Sequence, residues 1–120
     1  MTKRILVADD SPMIRRALCQ LFAVEEGYDI CAEARNGQEA IDLALQERPD
    51  LIILDQEMPV LSGLEAARQL KKMMRDVPII LFTHYDTVIA RSGIEIAADL
   101  VVSKNDAGRL IEHVRSLVPV

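Results

Sequence analysis

The chain has 120 residues, half of them hydrophobic (50%), with a formal net charge of −5 and a pI near 5.0. That length suits one domain, 1–120, with a single core of ordinary size, and leaves no room for two. The acidic balance, with no Lys/Arg run longer than two, argues against a nucleic-acid module, because phosphate backbones require clustered cations.

Short apolar runs alternate with helix-period segments. Ile5, Leu6, Val7 and Ala8 read as a buried strand. Ser11 and Pro12 then supply an N-cap and a proline at the first helical position, Ile14, Leu18, Leu21 and Phe22 follow at helical spacing, and Gly27 is expected to end the helix. A weaker strand is predicted over 29–34. Asn36 with Glu39 three residues on has capping spacing for a second helix, whose stripe is Ala40, Ile41, Ala44 and Leu45 and which ends before Pro49. Leu51, Ile52, Ile53 and Leu54 are apolar on both faces, as in a central parallel strand. Ser62 and Glu65 open a third helix with Leu64, Ala67, Leu70 and Met74 inward. A fourth strand covers 79–82, a fourth helix is expected over about 86–98 across Gly93, and a fifth strand covers 100–102. Asn105 is expected to cap a last helix carrying Leu110, Ile111, Val114, Leu117 and Val118 on one face. Five strand–helix units imply an α/β fold, a parallel sheet covered by helices on both faces.

Cys19 and Cys31 lie in apolar-periodic stretches without metal spacing and are predicted to be small buried hydrophobes. The lack of a disulfide framework points to a reducing compartment. The first apolar run reaches Asp9 too soon for a signal peptide, and no run has the length of a membrane span, so a cytoplasmic location is expected.

Open parallel sheets place their sites beyond the carboxyl ends of the strands. Here the first strand is followed by Asp9 and Asp10, the third by Asp55, the fourth by Thr83 and the fifth, one serine later, by Lys104. Each alone reads as a loop acid, a strand-end hydroxyl or a solvated lysine. Together they form one chemistry. Three crowded carboxylates repel one another, and a hard dication such as Mg²⁺ relieves them through oxygen ligands. Zinc does not suit, since His84 is a lone imidazole there and neither cysteine falls at this edge. Lys104 supplies positive charge and Thr83 a donor for the oxygens of a transferring phosphoryl group, and a carboxylate can be its nucleophile. Asp55 is the candidate, on the central strand between the acid pair and the Thr/Lys pair. His113, beside the apolar stripe of the last helix, is predicted to be half-exposed and without a role.

In this order, the segments Ile5-Leu6-Val7-Ala8-Asp9-Asp10-Ser11 and Leu54-Asp55-Gln56-Glu57-Met58-Pro59 with Gly63, then Thr83 and Lys104, resemble the receiver domains of bacterial two-component response regulators. The resemblance covers essentially the whole chain. It implies the CheY-like, flavodoxin-like sheet of order 2-1-3-4-5 and Asp55 as phosphoacceptor. It also implies Mg²⁺ held by Asp10 directly, Asp9 more through water, Asp55 and the backbone carbonyl of Glu57. Thr83 and Lys104 would bind the phosphoryl oxygens, and the donor would be a sensor histidine kinase or phosphotransfer protein. The output surface, and a possible homodimer contact, would be the fourth helix, fifth strand and fifth helix. The stretch Ala34-Arg35-Asn36-Gly37-Gln38-Glu39-Ala40 is similar to receivers that carry a C-terminal helix-turn-helix, which here would lie beyond Val120. The chain departs from the family at Asn105, where proline usually follows the lysine. It departs also at His84, where a small residue is usual, and at Val101, where an aromatic usually serves as the switch. Glu57 and Tyr85 occupy positions that tune dephosphorylation in the family.

Two other function classes compete. A phosphate-independent interaction module would keep the fold, and a tenfold change of partner affinity on phosphorylation would dismiss it. An enzyme would be a small aspartyl-phosphate phosphatase or a flavin protein. The first needs a substrate pocket and turnover on phosphate monoesters. The second needs a phosphate-cradling loop where this chain places Asp9 and Asp10.

Overall fold

The computed structural model describes residues 2–120. Five strands and five helices alternate: β1 (Lys3–Ala8), α1 (Pro12–Ala23), β2 (Tyr28–Ala34), α2 (Gly37–Glu47), β3 (Leu51–Leu54), α3 (Gly63–Met73), β4 (Ile79–Thr83), α4 (Asp86–Ser92), β5 (Leu100–Ser103) and α5 (Ala107–Leu117). All strands are parallel, in the expected order β2-β1-β3-β4-β5. Strand order therefore reverses between β1 and β3, which places the crevice there.

Period-2 alternation divides the sheet's side chains between two cores. Leu6, Ile52, Leu54, Ile79 and Leu81 pack under α2 and α3, where the fully buried Ala40, Ala44, Ala66 and Ala67 let the helices lie close. Ile5, Val7, Leu51, Ile53, Ile80 and Phe82 pack under α1 and α5 through Leu18, Phe22, Leu110, Ile111 and Val114. β3 is buried along its whole length, as a four-residue apolar run in the middle of a parallel sheet must be. β2 carries an irregularity: Ile5 pairs with Ile30 and Leu6 with Ala32, so Cys31 is the extra residue of a bulge on this edge strand.

Three predicted caps form. The Ser11 hydroxyl accepts from Ile14 N, Asn36 Oδ1 from Glu39 N and Ser62 Oγ from Glu65 N. Five local expectations are corrected. α1 ends with Val24 as its C-cap, and Gly27 (φ 91°) instead turns the chain into β2, its carbonyl accepting from Lys3 N. Leu45 faces outward, 39% exposed. α4 stops at Ser92 because Gly93 adopts a left-handed C-cap (φ 71°), and 94–98 is not helical. Asp106, not Asn105, stands at the N-cap of α5, without a side-chain cap bond, and Asn105 lies in the preceding turn with its N–H donated to the Ser103 hydroxyl. Both cysteines are half-buried rather than buried; burial raises each thiol's pKa, with Glu33 adding to the effect at Cys19.

Candidate functional site

The residues after β1, β3 and β5 do not leave the sheet freely. Asp9 N donates to Ala34 O of β2, Asp55 N to Ala8 O of β1, and Lys104 N to Thr83 O of β4. Each ladder thus continues one residue past its strand, or past its neighbour's, and holds a functional side chain over the crevice. Thr83 closes β4 itself, opposite Ser103. The five residues predicted at this edge converge; β2, on the outer edge, contributes none.

The carboxylate oxygens of Asp9, Asp10 and Asp55 lie within 4.8 Å of one another. Asp9 and Asp55 are buried, 2% and 5% exposed, whereas Asp10 faces solvent. The Lys104 ammonium stands 2.5 Å from Asp9 Oδ2 and 3.2 Å from Asp55 Oδ1. Ser11 N donates to Asp9 Oδ1 and Gln56 N to Asp55 Oδ1, both at 2.9 Å, which leaves Asp55 Oδ2 engaged by neither contact. Thr83 is fully buried; its hydroxyl oxygen accepts from Tyr85 N, and its proton remains to be donated.

Three carboxylates against one ammonium leave two formal negative charges in a largely water-excluded cleft. Burial raises the Asp55 carboxyl above its ordinary pKa, and the Asp9 charge adds to this, while Lys104 opposes both. The donor set is oxygen only, and the charge deficit is that of one dication. These features fit Mg²⁺, which takes few carboxylates and keeps waters on its open side.

The β3–α3 loop frames the other wall. Glu57 is exposed in it, and its carbonyl accepts no backbone hydrogen bond among the described residues, so it is free for a ligand role. Leu61 N donates to Pro59 O across Val60, a γ-turn that forces a β-branched residue to φ 70°. The loop is pinned on three sides. Gly63 packs so closely that a Cβ would lie 2.1 Å from Asp55 O. The Gln56 side chain accepts from Leu64 N at the start of α3, and Gly37 N of α2 donates to Leu61 O.

Sequence reasoning missed Gln56 as a cap for α3 and missed Arg15 altogether. Arg15 donates to the backbone carbonyl of Asp9 at 2.7 Å and pairs with Glu33 at 3.4 Å. The signal available was its place one helical turn after the Ser11 cap, on the face that looks back over the end of β1. The residues that depart from the family sit around the site rather than in it. His84 is exposed and shares with Lys104, Ile14, Leu18 and Leu21 an apolar groove of about 300 Å³. Val101 is half-buried on the α2/α3 side, Asn105 is exposed, and Tyr85 is 45% exposed. His113 is half-buried, away from the cluster. No helix among the described residues is long and apolar enough to cross a membrane.

Residues 5–115 match the family model of the response regulator receiver domain. The chain is 42% identical to response regulator protein TrrA from Thermotoga maritima, whose structure in complex with Mg(2+)-BeF superposes with a TM-score of 0.87 over 98% of this chain and 100% of that one. It is 38% identical over 120 residues to response regulator MprA from Mycolicibacterium vanbaalenii, covering 98% of this chain and 51% of that protein. It is also 36% identical over 83 residues to protein-glutamate methylesterase/protein-glutamine glutaminase 4 from Hahella chejuensis, covering 69% of this chain and 21% of that protein. The chain therefore spans about half the length of one of these curated relatives and about a fifth of the other.

Proposed function

The chain belongs to the family of response regulator receiver domains, and from this we propose that it is a single receiver unit, 1–120, in which Asp55 is the phosphoacceptor. Asp55 Oδ2 attacks the donor phosphorus; the new O–P bond forms as the donor's P–N bond (phosphohistidine) or P–O bond (acetyl phosphate) breaks, and the imidazole or acetate leaves. The donor is a sensor histidine kinase or a phosphotransfer protein. Asp9, Asp10, Asp55 and the Glu57 carbonyl would hold Mg²⁺, which when bound supplies charge neutralisation for the phosphoryl oxygens. Lys104 exchanges part of its contact with Asp9 and Asp55 for a phosphoryl oxygen, and Thr83 donates its hydroxyl proton to another. The phosphorylated site then shifts a two-state equilibrium read on α4, β5 and α5, which would also serve a homodimer. The domain acts in the cytoplasm without itself touching nucleic acid, and the chemistry of this domain is its own phosphorylation and dephosphorylation.

The observation that carries this reading is the convergence of Asp9 and Asp55 on one lysine ammonium beside a third carboxylate, with two negative charges uncompensated. TrrA, in complex with Mg(2+)-BeF, supports the same chemistry at a matching fold. Intact mass after incubation with Mg²⁺ and acetyl phosphate tests it. One phosphoryl adduct is expected on the wild type and none on Asp55→Asn; an adduct on both variants would move the acceptor elsewhere.

A further inference from the structure

Resting on the Mg²⁺ ligand set proposed above, we propose that Arg15 is a positioning residue for metal binding, acting through the peptide that joins Asp9 to Asp10. The three carboxylates are anchored unequally. Asp9 is held by Ser11 N and Lys104, and Asp55 by Gln56 N and Lys104. Asp10 is exposed, so the direction of its carboxylate depends on the backbone that carries it. That backbone includes the carbonyl of Asp9, which lies in the plane of the Asp9–Asp10 peptide.

Arg15 fixes this plane. Its Nη1 donates to Asp9 O at 2.7 Å, while Nε pairs with Glu33 Oε1 at 3.4 Å. The Arg15 side chain is 13% exposed, far less than is usual for a cation on an outer helix, although its Glu33 partner is 48% exposed. The planar guanidinium reaches β2 with one edge and the end of β1 with another, a two-way brace that a point-charge ammonium cannot reproduce. The brace sets the angle at which Asp10 enters the cleft, and this orienting effect outweighs the repulsion between the guanidinium, already paired with Glu33, and a cation in the cleft. Ligand carboxylates lose affinity when the groups that orient them are removed, typically by one to two decades.

Calorimetric titration of Mg²⁺ into the metal-free protein tests the proposal without reference to phosphorylation. Arg15→Met is expected to raise the Mg²⁺ Kd about tenfold or more, and Arg15→Lys, which keeps the charge but not the fork, by an intermediate factor. Circular dichroism establishes which variants fold, and if Arg15→Met does not, Arg15→Lys carries the test. A Kd within twofold of wild type in the folded variant, whatever its Tm, overturns the role and leaves Arg15 a purely structural brace. Asp10→Ala in the same titration separates this from the underlying reading. If it binds Mg²⁺ as the wild type does, the ligand set is wrong and the Arg15 role falls with it. If it loses binding while the Arg15 variants do not, only the Arg15 role falls.

Discussion

Burial, with the Asp9 charge beside it, holds the Asp55 carboxyl above its ordinary pKa even though Lys104 pulls the other way. A carboxyl pKa raised by folding disfavours the folded state once the group is ionised. Between its unfolded and folded pKa values the native state keeps a proton that the unfolded state has lost, so stability falls as pH rises through that window and stays lower above it. Asp55→Asn removes this cost and leaves Lys104 paired with Asp9. In chelator at pH 7 the variant is expected to be more stable than wild type, with a higher Tm. The gain should shrink to nothing as pH falls below about 4, where wild-type Asp55 is protonated in both states. Thermal melts of the two proteins between pH 3 and 8 check it, and an advantage that persists at pH 3 would mean repacking rather than charge. The chemistry of the site was legible because its residues sit immediately after apolar runs, so strand position alone brought Asp9, Asp10, Asp55, Thr83 and Lys104 to one edge. Arg15 was not legible in that way. It lies at a polar position of an amphipathic helix, where pattern alone assigns a side chain to solvent.

At the scale of elements, the clearest coupling is the seat of α2 on the β3–α3 loop. Gly37 N donates to Leu61 O at 3.1 Å, and a Cβ at position 37 would stand 2.3 Å from that oxygen. Neither group is the tip of a flexible side chain, so the backbone must move. Gly37→Ala is expected to cost about 2 kcal/mol, against the small gain that alanine brings to an ordinary helix position. Urea unfolding measures it; a variant as stable as wild type would show that the loop yields freely. Helix starts were readable from sequence wherever a capping residue was joined by a second cue, Pro12 after Ser11, Glu39 after Asn36 and Glu65 after Ser62. The start of α5 was not, because Ser103, Asn105 and Asp106 are all capping types, and the turn claimed Asn105 first. The length of α4 was overestimated for a related reason. Helical spacing continues past Gly93, but the left-handed backbone at that glycine terminates the ladder.

Across the whole molecule, the acid cluster is a store of unfavourable charge that a dication discharges. Mg²⁺ that binds the native state alone should stabilise it by about 2.7 kcal/mol at a hundredfold excess over its Kd. Asp10→Ala should lose most of that response. Its metal-free Tm should change little, because the exposed Asp10 bears less of the desolvation cost than Asp55. Melts with and without Mg²⁺ settle the point, and an undiminished Mg²⁺ shift in the variant would remove Asp10 from the ligand set. The Lys104–Asp9 pair also joins residues 95 positions apart. On a ribosome, a chain halted between Asp55 and Lys104 would carry two inward-facing acids without the lysine that faces them, and buried charge without a partner is costly enough to keep that cleft open. Competence to receive a signal would therefore arrive late in synthesis, with the final strand. A half-made molecule would lack the assembled cleft, and no separate safeguard would be needed to keep it idle.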